Sequence, residues 1–126
     1  MVAFINLPAP APRAGDAYLR FIPRTEMDIA VAGAGISLAL DEKGKCINAR
    51  VALGAVAERV ILVDAAASAL IGTTVGEAAL EKLASAASAA ARPIDDKRGT
   101  AEYRTRVVGV LARRAAIIAR DRAGSA

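Results

Sequence analysis

The chain has 126 residues, 55% of them apolar, which is enough for one domain with a hydrophobic core and too apolar for global disorder. Its 17 Lys and Arg against 13 Asp and Glu give a net charge of +4; no histidine and one cysteine exclude His-based triads, His-ligated zinc, internal disulfides and four-cysteine metal sites. Aromatic residues are only 3%, without Trp, so stacking platforms for bases are scarce, and the basic balance reads as a solvated arginine-rich surface before a nucleic-acid surface.

Pro8, Pro10 and Pro12 make residues 1–14 an extended arm, and Met1–Pro12 lacks the basic-then-apolar layout of a signal peptide. No run approaches the ~20 apolar residues of a membrane span, so the expectation is a cytoplasmic protein. A first strand is expected over Ala17–Ile22, where apolar and aromatic residues alternate with Arg20. Pro23 ends it, and Arg24-Thr25-Glu26 leads into a second strand from about Met27 to Leu40.

Gly33 and Gly35 weaken that strand and predict a bulge or a close neighbour. Gly33-Ala-Gly-Ile-Ser-Leu38 opens like a dinucleotide fingerprint, but Leu38 stands where close helix packing needs Gly or Ala, and a hairpin signal arrives too soon for a phosphate-binding helix. The bulge is therefore preferred. Asp41-Glu-Lys-Gly-Lys45 is the hairpin. A third strand follows from Cys46 to about Ala55, with Ile47, Ala49, Val51 and Leu53 facing inward against Asn48 and Arg50. Cys46 reads as a buried small apolar residue. Val60–Val63 is a short fourth strand or edge segment.

The pattern then turns helical. Asp64 is placed to cap a helix over Ala65–Ile71 that Gly72 ends. Thr74-Val-Gly-Glu77 has the form of a capping box, followed by Leu80, Leu83, Ala84, Ala87 and Ala91 at helical spacing up to Pro93. Asp95, Asp96 or Thr100 caps a last helix running to about Asp121, with Tyr103, Val107, Val110, Leu111 and Ile118 as its apolar stripe. Its arginines read as a solvated face or a protein-docking face. Glu102 and Arg106 are spaced to pair, at a few tenths of a kcal/mol. Strands first and helices later predict an α+β two-layer sandwich: an antiparallel sheet of three to four strands with three helices on one face, over 15–122, with 123–126 as a tail.

The most informative run is Tyr18-Leu-Arg-Phe-Ile-Pro-Arg-Thr-Glu-Met-Asp-Ile-Ala30, because charges set beside a strand need partners. Together with Ala49-Arg-Val-Ala-Leu-Gly-Ala-Val56, Asp96-Lys-Arg-Gly-Thr-Ala-Glu-Tyr-Arg104 and Val110-Leu-Ala-Arg-Arg-Ala115, it resembles the C-terminal domain of the FAD-binding, medium subunit of molybdenum hydroxylases, the carbon monoxide and xanthine dehydrogenase family. The resemblance spans about residues 15–120 and implies the same α+β sandwich. It implies an electron-transfer role within a complex: a large subunit with the molybdenum cofactor, a small subunit with 2Fe–2S clusters, and FAD held mostly by domains upstream of this one. Activity and stable FAD binding by this chain alone are not expected.

The resemblance further implies that the loop after the first strand approaches the flavin. That points to Tyr18, Arg20, Arg24 and Asp28: Tyr18 packing on the ring, Arg20 or Arg24 stabilising negative charge on reduced flavin. The plainer alternative is that Arg24 and Asp28 pair to fix the loop. Tyr103 and Arg104 are expected to tie the last helix to the sheet. A rival reading keeps the fold as a stand-alone, non-catalytic interaction domain, and a weaker one makes it a basic nucleic-acid-binding module.

Overall fold

The structure, a computed structural model, describes residues 1–22, 30–95 and 100–125. Strands β1 (Ala14–Phe21), β2 (Ala32–Leu40), β3 (Cys46–Gly54) and β4 (Ile61–Leu62) form one antiparallel sheet in chain order. Helices α1 (Asp64–Leu70), α2 (Glu77–Ala90) and α3 (Ala101–Ser125) follow. α3 lies over β1 and β2, α1 lies against β3, and α2 sits between α1 and α3. This is the expected α+β sandwich.

The strand alternation decides which face the helices cover. Ile36, Leu38, Val51 and Leu53 are buried beneath the helices, together with Leu70, Leu80, Leu83 and Val108. At about 25 cal/mol per Å² of apolar surface, each fully buried Leu or Ile contributes roughly 2 kcal/mol. The opposite face carries Asp16, Tyr18, Arg20, Ser37, Asn48 and Arg50, all exposed, and no helix lies over it among the described residues.

The predicted bulge is not at the glycines. β1 and β2 pair without interruption from Ala14↔Ala39 to Phe21↔Ala32. The irregularity lies where Ala39 faces Asn48 and Leu40 faces Cys46, leaving Ile47 as an extra residue in β3. That turns Ile47 outward, 58% exposed, against the inward placement its alternation suggested, and it buries Cys46 instead. Burial pushes the Cys46 thiol above its ordinary pKa of 9.0, against the opposing effect of its contact with the Asn48 carbonyl oxygen. A raised pKa keeps the thiol neutral and unreactive. The folded chain should therefore resist iodoacetamide at neutral pH and react only after denaturant is added. Mass spectrometry checks this, and fast native labelling would contradict it.

Two predicted helix caps are replaced. α1 starts at Asp64 itself, with Val63 as N-cap and no side-chain cap. α2 has Gly76 as N-cap, so Thr74 and Glu77 form no capping box. Glu77 pairs with Arg113 of α3, and the preceding turn is tied by Thr73, whose hydroxyl donates to Leu70 O (2.7 Å) and accepts from Val75 N (3.1 Å). α3 is capped as expected: Tyr103 N donates to Thr100 Oγ1 (3.0 Å) and Ala101 N to the Asp95 carboxylate. It runs past the expected end to Ser125.

The buried side of α3 is also rotated from the predicted stripe. Val108, Leu111, Ala112, Ala115, Ala116, Ala119 and Ala123 face inward, while Tyr103 and Val110 are exposed. Small residues let a helix lie close to the sheet and to α2. At the α2 contact, Ser88 Oγ donates to Thr105 O (2.8 Å) beside Gly109.

Candidate functional site

β1 places Tyr18 and Arg20 two residues apart, so both project from the uncovered face. Tyr18 stands directly opposite Gly35, and Arg20 opposite Gly33. The close neighbour that the two glycines predicted is the Tyr18 ring. A Cβ on Gly33 would stand 2.7 Å from the tyrosine oxygen, and one on Gly35 would stand 3.7 Å from the ring. The ring thus lies across a side-chain-free floor on β2 and remains 62% exposed. The floor extends to β3, where Gly54 pairs with Gly33 and Ala52 with Gly35.

One step along the strands, Asp16, Ser37 and Arg50 are direct cross-strand neighbours and form a polar row beside the ring. A groove of about 560 Å³ runs between this row and residues Pro8–Ala11 of the arm, with Asn48 and Arg122 also in its lining. The wet alternation of β3 identified Asn48 and Arg50 as outward-facing. Nothing in the sequence aligned them with Asp16 and Ser37, because that depends on register across three strands.

Arg24 and Asp28, with any pairing between them, lie outside the described residues. The base of their loop is described and firmly held. Val31 N donates to Phe21 O (2.7 Å), closing the loop at its stem. The Phe21 ring meets Tyr103 edge-on at a centroid distance of 6.2 Å. Arg104, only 4% exposed, donates from Nη1 to Val31 O (3.2 Å) and Ala55 O (3.4 Å). Tyr103 and Arg104 therefore tie α3 to the sheet as anticipated, and they do so at the root of the loop that carries Arg24 and Asp28.

The other arginines of α3 act structurally more than a solvated face suggests. Arg120 Nη1 donates to Val75 O (3.0 Å) and Arg122 Nη1 to Asp16 O (2.8 Å), while Arg106 pairs with Glu102 as its spacing predicted.

Residues 17–119 match the family model described as the CO dehydrogenase flavoprotein C-terminal domain. The chain belongs to that family. It is 37% identical over 123 residues to the carbon monoxide dehydrogenase medium chain of Afipia carboxidovorans, covering 98% of this chain and 42% of that one. It is 29% identical to the 6-hydroxypseudooxynicotine dehydrogenase complex subunit alpha of Paenarthrobacter nicotinovorans, over 90% of this chain and 38% of the relative. A solved structure of carbon monoxide dehydrogenase from Hydrogenophaga pseudoflava superposes with a TM-score of 0.87 at 34% identity, covering 92% of this chain and 40% of that one. The chain thus spans about two fifths of the length of the relatives it matches.

An exposed aromatic ring with a cation beside it suits contact with one face of a flavin. The fit of Tyr18 and Arg20 is to one part of FAD, the flavin ring system. Among the described residues no group of three His, Cys, Asp or Glu side chains is placed to hold a metal ion, and no helix is long and apolar enough to cross a membrane.

Proposed function

We propose that this chain works as the C-terminal domain of the flavin subunit of a cytoplasmic molybdenum hydroxylase. It supports electron transfer from the 2Fe–2S clusters of a small subunit to FAD, within a complex whose large subunit holds the molybdenum cofactor. The observation that carries the reading is the uncovered sheet face, with Tyr18 laid over Gly33 and Gly35 and Arg20 next to it. Bound FAD would supply the redox chemistry. Tyr18 presents its ring to the flavin and excludes water there. Arg20, or Arg24 of the adjoining loop, supplies positive charge where negative charge accumulates on reduction. Arg104 and Tyr103 hold the loop root and act only through it.

The test adds this chain to the FAD-loaded remainder of a flavin subunit and follows flavin absorbance during gel filtration. Co-elution is expected. Tyr18→Ala or Arg20→Ala should weaken it roughly tenfold, about 1.4 kcal/mol, with the unfolding midpoint unchanged, because both side chains are exposed. Absence of co-elution by the unaltered chain would instead favour the stand-alone interaction domain. Salt-sensitive binding to DNA or RNA would favour the nucleic-acid reading.

A further inference from the structure

β1 is an outer strand with an open edge. It is bonded to β2 alone, and no other strand lies beside it among the described residues. Leu40 N donates to Arg13 O (2.9 Å), which makes Arg13 and Leu40 a hydrogen-bonded pair. Such pairs recur at every second residue of an antiparallel ladder. Gly15, Ala17 and Leu19 therefore direct their N–H and C=O groups to β2, opposite Leu38, Ile36 and Ala34. Asp16, Tyr18 and Arg20 turn theirs away from the sheet. The Asp16 carbonyl bears this out, since it accepts from Arg122 Nη1 of α3 (2.8 Å). The edge is eight residues long and has no proline, lysine or bulge, the devices that keep strand edges apart.

Its side chains are self-complementary. Asp16, Tyr18 and Arg20 stand at alternate positions, so all three project from the uncovered sheet face, and all are exposed. Neither the Asp16 carboxylate nor the Arg20 guanidinium has an ion-pair partner among the described residues. When β1 is laid antiparallel on the β1 of a second copy about Tyr18, residue 16 of each copy falls opposite residue 20 of the other. Both opposed pairs are then carboxylate against guanidinium. A shift of two residues either way sets Tyr18 against Arg20 or against Asp16 and loses the match.

The helix layer fits the same arrangement. α3 runs along β1 in the opposite sense, with Ala119 and Ala123 against Gly15 and Tyr103 against Phe21. Arg122 reaches the edge at Asp16 O, and Val107, Leu111 and Ile118 share its side of the helix at helical spacing. Val107 and Ile118 are only partly buried within one copy. A second β1 at the usual strand spacing of ~4.8 Å brings the two α3 helices side by side and covers them.

We propose that two copies of this chain join through their β1 edges, antiparallel about Tyr18, with Asp16 of each paired to Arg20 of the other. The two four-stranded sheets then continue as one. The Asp16 carbonyl keeps a second lone pair for the Arg20 amide of the other copy, while Arg122 stays on it from the helix side. The pairing takes the edge of the sheet, leaves Tyr18 on the uncovered face and does not depend on the function proposed above.

Sedimentation of the purified full chain, with amide hydrogen exchange followed against concentration, tests this. The unaltered chain should dimerise with a Kd below about 1 mM. Asp16→Arg and Arg20→Asp each set like charges opposite one another and should weaken the dimer at least about tenfold. The double variant Asp16→Arg/Arg20→Asp restores opposite charges in exchanged places and should return the Kd to within about threefold of the parent. Unfolding midpoints should stay unchanged, since both positions are exposed. On dimerisation the amides of Tyr18 and Arg20 should slow at least about tenfold, more than those of Ala17 and Leu19, which β2 already holds. A chain that stays monomeric up to roughly 1 mM would overturn the inference. So would a dimer indifferent to the single changes, which puts the contact elsewhere, or one that the double change fails to restore, which breaks the register.

Discussion

Replacing Arg104 with alanine is expected to lower the unfolding free energy by about 3 kcal/mol, a large share of a small domain's stability. The residue lies on the buried side of α3, 4% exposed, in line with Val108 and Leu111. Its guanidinium reaches two carbonyls that belong to different parts of the sheet. Val31 O, at 3.2 Å, follows the loop after β1, and Ala55 O, at 3.4 Å, belongs to a residue held at a left-handed φ of 64° after β3. A charge-assisted bond contributes roughly 1.5–3 kcal/mol, and the longer of these two belongs at the low end. Alanine removes both N–H donors and the packed stem, and it takes this partner from the carbonyl of the buried Val31. Both bonds leave one nitrogen, Nη1; Arg104→Lys keeps a charged nitrogen with donors enough for both acceptors but on a shorter stem, so it should recover only part of the loss.

Urea titration reads this as a lower midpoint with an unchanged slope. Hydrogen exchange supplies a local readout: the Val31 amide, bonded to Phe21 O at 2.7 Å, should exchange faster in the variant than amides of α2. Stability within 0.5 kcal/mol of the parent would show that α3 does not depend on this anchor.

Arg104 also marks where the sequence stops being readable. The order of elements was legible because strand and helix periods are local properties. So was the hairpin: Gly44 takes a φ of 84°, and the Asp41 carboxylate accepts from Lys45 N and Lys43 N, which holds its pKa below the ordinary 3.8. The rotation of α3 about its axis was not legible. The predicted stripe holds at Val107, Leu111 and Ile118, which pack on or in the core, and fails at Tyr103 and Val110, because the alanines that fill the rest of the buried side carry a weaker apolar signal than those two. The requirement at the sheet is small volume, which Ala112, Ala115, Ala119 and Ala123 meet. An arginine inside that face looks like every other arginine until two carbonyls are found opposite it.

The site divides in the same way. That Tyr18 and Arg20 share a strand face follows from a period of two. That Gly33 and Gly35 lie beneath the ring depends on pairing register, which local sequence does not specify. The bulge expected at those glycines went instead to Ile47, where an extra residue lets Cys46 turn inward near the hairpin. Arg24 and Asp28 remain proposals that rest on the family resemblance and on the described root of their loop.

Gly15→Ala should cost about as much as the loss of Arg104, and for the opposite reason. A Cβ on Gly15 would stand 2.3 Å from Ala119 O and 2.5 Å from Ala123 N. Both are backbone atoms of a helix of 25 residues, so no side-chain rotation relieves the overlap. Either α3 lifts from β1 or β1 shifts in the sheet, and either movement strains the bond from Arg122 to Asp16 O next door. Overpacking of this kind costs roughly 1–3 kcal/mol, and with rigid backbone on both sides the upper end applies, about a 10 °C fall in melting temperature.

Two other glycines of the same sheet separate this effect from a general intolerance of alanine. Gly54 has open space where a Cβ would go, so Gly54→Ala should melt within about 2 °C of the parent. At Gly33 the obstructing atom is the end of the Tyr18 side chain, which can swing away. Gly33→Ala should therefore keep most of the stability while lifting the ring from its floor and weakening association with a flavin subunit. Calorimetry on the three variants, with the co-elution assay for the third, tests the separation. If Gly15→Ala melted like the parent, the close approach of α3 to β1 would be wrong, and the placement of the strand that presents Tyr18 and Arg20 would fail with it.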